Sequence, residues 1–350
     1  MMKNKHYIFC LLTTFLFISC EDNLLGPEAD NTPANNFNLL WNEFDLYYPS
    51  FITKKINWDS LYNIHSSRIN ENTNYNDLWL IFWSLLRNFN DPHVYLFNYD
   101  HSGFIPSCSS CYAHDKEFSL PLVKNKYLYG RYNTGGDGHF TYGKFPGDSL
   151  GYIYIKSFFG DNDWEKEIDG IITNLSGVKT IIVDLRDNNG GYINKVEFIA
   201  GAFVNKSITY SREVSRNGPE HYNFTEPVYH TINPRNPASP FNKKIILLTN
   251  KISGSGAEVL SMILTQLDYT VQIGDSTAGG LGVTTRRFQL LNGWTYSMPL
   301  STLLTPDGVS LEGIGIVPDI WIRNTKDEIR YGYDKILEYA LYSQTSKPIK

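Results

Sequence analysis

The chain has 350 residues, enough for one large domain or two smaller ones around a full hydrophobic core. Its formal net charge of −5 is mild and no long basic run occurs, which argues against a nucleic-acid partner. Aromatic residues make up 15% of the chain, which argues against disorder, and no fixed-period repeat is present.

The first residues, "MMKNKH", are basic, and the apolar "YIFCLLTTFLFIS" that follows is too short to span a bilayer comfortably. It ends in "LFISC", which resembles the lipobox of bacterial lipoproteins. Residues 1–20 are therefore expected to be a signal peptide, with Cys20 becoming the lipid-bearing first residue of the mature chain. The competing reading is an ordinary signal with an incidental cysteine. Residues 21–36 are polar and rich in Pro and Asn, as a flexible tether is. The expected location is the bacterial cell envelope, exported and lipid-anchored, facing the periplasm or the cell surface.

Residues 37–96 pattern as helices. Leu40, Phe44 and Tyr47 share one face, and Leu78, Ile81, Phe82, Leu85 and Leu86 share another; "NWDSLYNIHSSRI" suggests a third helix capped by Asn57 or Asp59. This bundle stops at "NDPH", where Pro92 disfavours helical geometry for Asp91. Residues 97–150 read as short strands and turns. Within them "PSCSSCY" holds Cys108 and Cys111, expected to form a local disulfide in an oxidising compartment. Zinc, with His101 and His114, is the alternative, but no second CxxC or spaced His pair completes that pattern, and no metal or cofactor is expected.

Beyond residue 150 strands and helices alternate. "GYIYIKSF" (151–158) reads as strand, "WEKEIDGIITNL" (164–175) as helix, "TIIVDLR" (180–186) as buried strand and "INKVEFIAGAF" (193–203) as helix. After a hairpin-like aromatic stretch (206–240) come "KIILLT" (244–249), a helix from Ala257, "TVQIGD" (270–275) and a last helix, "DKILEYALYSQ", in the segment 326–350. The order predicts an α/β core.

Two turns in this core can carry chemistry. In "NKISGSGAEVL" (250–260) glycines flank Ser255 at the start of a helix with Leu260, Ile263, Leu264 and Leu267 on one face. A serine there caps the helix, or it is a nucleophile exposed by the turn at the positive end of the helix dipole. In "DLRDNNGGY" (184–192) Asn and Gly accept positive φ, and a glycine amide is left to donate to a developing oxyanion.

"DLRDNNGG", "NKISGSGAE" and "LEGIGIVPDI" (311–320), in this order and spacing, together with "LRNFNDPHVYL" (86–96), resemble the serine peptidase family of the C-terminal processing peptidases and the tricorn core protease. The resemblance spans residues 37–325. It implies an α/β fold with a Clp-protease/crotonase-like ββα core (151–325) behind an N-terminal helical domain (37–96). The β-rich insert 97–150 is too short for the complete PDZ domain of many relatives. Where the C-terminal processing branch has a catalytic lysine this chain has Gly280, and no lysine lies between Lys251 and Lys326. The likeness is thus to the tricorn-like branch, which implies Ser255 as nucleophile, His93 as base and Glu312 as acid. It further implies an oxyanion hole of Gly256 with Gly190 or Gly191, and Ser253 in support. Pro92 stands where tricorn-like members carry a serine that relays the acid's influence. The implied activity is that of a serine endopeptidase on short or unstructured peptides or unfolded protein. The alternative is a catalytically silent ligand- or peptide-binding protein on the same fold.

Overall fold

The structure, a computed structural model, describes residues 29–98, 103–108, 117–236, 238 and 241–342. Helices α1 (Pro33–Tyr47), α2 (Trp58–Ser66) and α3 (Tyr75–Leu86) begin at Thr32, Asn57 and Asn74, whose side chains accept the first free amides of each helix. The apolar faces meet in an aromatic core in which Trp41 and Trp58 stack with ring centroids 3.6 Å apart. Tyr47 is exposed rather than on this face; Tyr48, just past the helix, is buried in its place.

Strands follow as β1 (Tyr95–Asn98), β2 (Gly103–Pro106), β3 (Tyr132–Gly135), β4 (Phe140–Lys144), β5 (Leu150–Ile155), β6 (Thr180–Asp184), β7 (Ile208–Ser215), β8 (Val228–Ile232), β9 (Lys244–Thr249), β10 (Thr270–Gly274), β11 (Gly282–Gln289), β12 (Thr295–Leu304) and β13 (Ile320–Trp321). Between them lie α4 (Ile168–Asn174), α5 (Ile193–Ala200) and α6 (Gly256–Thr265), and at the end α7 (Lys326–Arg330) and α8 (Lys335–Tyr342).

Seven strands form the core sheet in the order β13-β10-β9-β6-β5-β4-β3, parallel from β13 to β5 and antiparallel beyond. The parallel strands β5 and β6 are buried on both faces, which explains their unbroken apolar runs. Ile181, Val183, Ile245 and Leu247 point to the side covered by α4, α5 and α6. Ile182, Ile246 and Leu248 point to the side covered by α8.

A second sheet has the order β2-β1-β12-β7-β8, with β11 on the other side of β12. Along one edge β12 pairs first with β1 at residues 295–297 and then with β7 at 301–304. One strand therefore runs from the helical cap into the core. Leu290, Trp294, Tyr296 and Met298 of this hairpin are buried in the aromatic core of the helices. The β-rich insert divides accordingly: β1 and β2 join the second sheet, while β3 and β4 extend the core sheet. Cys108 is buried and disulfide-bonded. Cys20, Cys111, His101 and His114 lie outside the described residues.

Candidate active site

The carboxyl ends of β6 and β9 are adjacent, because the two strands pair in parallel, and both candidate turns leave from there. Asn250 knits them together: its side chain exchanges hydrogen bonds with Asp187, and Gly254 N–H donates to Asn188 O at 2.9 Å. Ser253 is buried and its hydroxyl donates to Leu185 O at 2.8 Å, a structural tie between the two turns. Ser255 follows with φ 51° and ψ −116°, a strained backbone for a residue with a side chain. Its Oγ lies 3.3 Å from His93 Nε2.

Gly190 and Gly191, packed beside Ser255, leave no room for a side chain. A Cβ on Gly190 would fall 2.6 Å from Gly256 N and 2.7 Å from Ser255 Cβ. One on Gly191, whose φ is 138°, would fall 2.2 Å from the carbonyl carbon of Phe158. Of the expected oxyanion donors, Gly190 is not available, since its amide donates to Asn188 Oδ1 at 2.9 Å. Among the described residues the amides of Gly191 and Gly256 have no acceptor.

His93 comes from the loop between α3 and β1, so the helical cap delivers it to the core. Two buried carboxylates approach it. Asp91 Oδ1 lies 3.4 Å from Nδ1, an ionic approach longer than a formed hydrogen bond, and accepts His93 N–H at 2.8 Å. Tyr48 Oη donates to Asp91 Oδ2 at 2.8 Å. Glu312, the expected acid, is engaged otherwise: Oε1 pairs with Lys54 Nζ at 2.9 Å and Oε2 accepts Leu281 N–H at 2.7 Å. Sequence reasoning gave Asp91 no role because Asp-Pro reads first as a helix stop, and passed over Lys54 because nothing local marks it.

These groups shift one another. Burial alone would raise Asp91, but its close approach to the His93 ring and N–H and the charges of His93 and Lys54 hold it below the ordinary carboxylate value. Burial opposes the His93 imidazolium, yet Asp91 first, then Glu312 and Glu258, raise it above 6.5. Burial and the charge of Asp91 push Glu312 up to about 7, with Lys54 opposing in part.

Glu258 is the other residue missed as a site component. Fully buried at the third position of α6, it accepts from Ser255 N, Thr277 Oγ1, Gly279 N and Gly280 N at 2.7–2.9 Å. The spacing Ser255-x-x-Glu258 is that of a capping box, the signal that could have found it. It fixes the turn holding Gly280 against the histidine: a Cβ there would lie 2.7 Å from Pro92 Cγ and 3.5 Å from His93 Cε1. A side chain at 280 would press on Pro92, the residue just before His93.

A cleft of about 360 Å³ opens onto Ser255 and His93, walled by Phe159, Tyr192, Ile193, Ile252 and Val283. Larger clefts of about 620 and 730 Å³ lie elsewhere, and neither is lined by a serine–histidine pair. Among the described residues no group of three or more His, Cys, Asp or Glu could hold a metal ion, and no helix is long and apolar enough to cross a membrane.

Residues 149–322 match the model of Peptidase family S41, and residues 29–87 match that of the Tricorn protease C1 domain. The chain is 28% identical over 197 residues to the Tricorn protease of Thermoplasma acidophilum, covering 55% of this chain and 16% of that one. It is 29% identical over 182 residues to the carboxy-terminal processing protease CtpB of Bacillus subtilis, covering 51% and 35%. The chain thus spans well under half the length of these two relatives. A solved structure from Parabacteroides merdae, described as a candidate peptidase, superimposes with a TM-score of 0.81 at 26% identity, over 91% of this chain and 98% of the other. Mature CPAF superimposes with a TM-score of 0.67 over 91% and 99%; at 13% identity this is a likeness of fold alone. The fold is the mixed α/β architecture of these solved structures with a helical N-terminal region, and its core, residues 149–322, is the part that matches Peptidase family S41.

Proposed function

We propose that this chain, with its Peptidase family S41 core, is a serine endopeptidase that cleaves short or unstructured peptides at the bacterial cell envelope. The observation that carries this conclusion is the 3.3 Å approach of Ser255 Oγ to His93 Nε2. It occurs beside two amides that have no acceptor among the described residues.

A serine hydroxyl is a weak nucleophile until a base takes its proton during attack. Ser255 Oγ bonds to the scissile carbonyl carbon as its proton passes to Nε2 of neutral His93. The carbonyl oxygen becomes an oxyanion held by the amides of Gly191 and Gly256, each such donor worth about 3 kcal/mol. The imidazolium then gives its proton to the amide nitrogen as the C–N bond breaks, leaving an acyl ester on Ser255. Water, losing a proton to Nε2, hydrolyses the ester and restores the serine. A carboxylate beside Nδ1 stabilises the imidazolium in both halves of the reaction.

The substrate class rests on the cleft. Its apolar walls and its rim of Gly282, Val283, Thr284 and Thr285 from β11 suit an extended main chain laid along a strand edge better than a folded surface. The envelope location rests on "LFISC" and the polar tether after it. Cys20→Ser should abolish metabolic labelling with a fatty acid, and an unacylated wild-type chain would refute the anchor.

The activity is tested by hydrolysis of a library of quenched fluorescent peptides. The wild type should cleave a subset, and Ser255→Ala should cleave none. Undiminished hydrolysis by Ser255→Ala overturns the assignment. A folded wild type that binds peptides without cleaving them would establish the silent binding protein instead.

A further inference from the structure

The two carboxylates beside His93 are held in different ways. Glu312 has one oxygen on Lys54, at 2.9 Å, and the other on the Leu281 amide, at 2.7 Å. Lys54 also donates to Asn90 O at 3.1 Å, so this pair bridges the cap to the core. Asp91 is completely buried and aimed at the imidazole: Oδ1 lies 3.4 Å from Nδ1, while Tyr48 fixes Oδ2. Ser107 brackets its main chain, accepting from Asp91 N at 3.0 Å and donating to Asp91 O at 2.7 Å.

On the basis of the peptidase activity proposed above, we propose that Asp91 is the positioning acid of this site, holding His93 with its proton on Nδ1 and balancing the imidazolium, while Glu312 ties the core to the cap through Lys54. Pro92 makes the arrangement self-contained. It has no N–H and a fixed φ, so Asp91 Oδ1 reaches past it to His93 N–H at 2.8 Å in an Asx-type turn. Acid and base thus sit on one rigid tripeptide and move together. No third element has to bring the acid to the histidine, so the arrangement needs no relay serine at position 92. Among the charged groups facing His93, which are Asp91, Glu312 and Glu258, Asp91 favours the imidazolium most. Lys54 faces the two carboxylates Asp91 and Glu312.

The test uses the mature chain with labelled histidine and reads the His93 ring by 1H–15N correlation, independently of turnover. The expected spectrum shows neutral His93 protonated on Nδ1 with that proton far downfield. Glu312→Gln should leave the signal in place, and Asp91→Asn should remove it or move it upfield. In kinetics Asp91→Asn should lower kcat by about 10³- to 10⁴-fold with little change in KM, the loss seen when an orienting carboxylate becomes an amide. It should also move the acidic limb of kcat/KM to lower pH by more than Glu312→Gln does, and Glu312→Gln should cost no more than about tenfold. A downfield Nδ1 proton that disappears in Glu312→Gln overturns the proposal, as does Asp91→Asn within tenfold of wild type. Should Asp91→Asn fail to fold, the Glu312→Gln spectrum still decides. Hydrolysis by Ser255→Ala would defeat the peptidase assignment, and the spectrum would still identify the acid.

Discussion

Gly280→Ala adds one methyl group at the point where the core meets the cap, and its effect follows from distances. Gly280 is not among the residues with positive φ, so the alanine backbone itself is unstrained. The new Cβ would lie 2.7 Å from Pro92 Cγ, where ordinary contact begins at 3.4 Å, a shortfall of 3.4 − 2.7 = 0.7 Å. The proline ring cannot rotate away, because it is closed on its own backbone between Asp91 and His93. Nor can the 280 turn recede easily, because Gly279 N and Gly280 N are both bonded to buried Glu258. The displacement therefore passes to His93 and stretches its 3.3 Å approach to Ser255 toward roughly 4 Å. Misplacement on this scale costs about 10- to 100-fold in kcat/KM, or about 1.4–2.7 kcal/mol of transition-state stabilisation. Overpacking adds a loss of about 1–3 kcal/mol in folding stability. Steady-state hydrolysis of a fluorogenic peptide, with a thermal melt of the same sample, measures both. An alanine variant within about threefold of wild type and with an unchanged melt would refute the packing of Pro92 on Gly280.

Two further predictions concern protonation and the cap. Because the base must be neutral and neighbouring carboxylates raise His93 above 6.5, kcat/KM should fall as pH drops through a single limb whose midpoint lies above 6.5. A pH–rate profile with its acidic limb below 6 would contradict this. Trp294→Ala removes a buried ring packed edge-on against Tyr75 and Trp79, with centroids 4.6 and 5.0 Å away. It should cost about 3–5 kcal/mol in urea unfolding, and a loss under about 1 kcal/mol would mean the hairpin does not share the helical core.

What could be read from the sequence was what is local. Ser255 announced itself through two glycines and the helix after it, and the core strands through unbroken apolar runs flanked by turns. His93 needed the family resemblance, since no spacing ties a histidine to a serine 162 positions away. Glu312 was placed near the site, but its partner Lys54 lies in a loop of the cap, and only the packing of cap on core brings them together. The hairpin of β11 and β12 went unrecognised although Asn292-Gly293 lies in its turn, a strong short-range hairpin signal. Its consequence was further from view: residues on one strand belong to two hydrophobic cores, so the cap and the core are not separable by a cut in the chain. Gly190 and Gly191 looked equivalent in sequence, and what separates them is the single bond that Gly190 N–H donates to Asn188 Oδ1.

The central claim is that Ser255 is made nucleophilic by His93. Treating the mature chain with a fluorophosphonate and mapping the adduct by peptide mass spectrometry tests it most directly. A single adduct on Ser255, forming at least about a hundredfold more slowly in His93→Ala, is the predicted result. An adduct on another serine, or equal rates in wild type and His93→Ala, would contradict it.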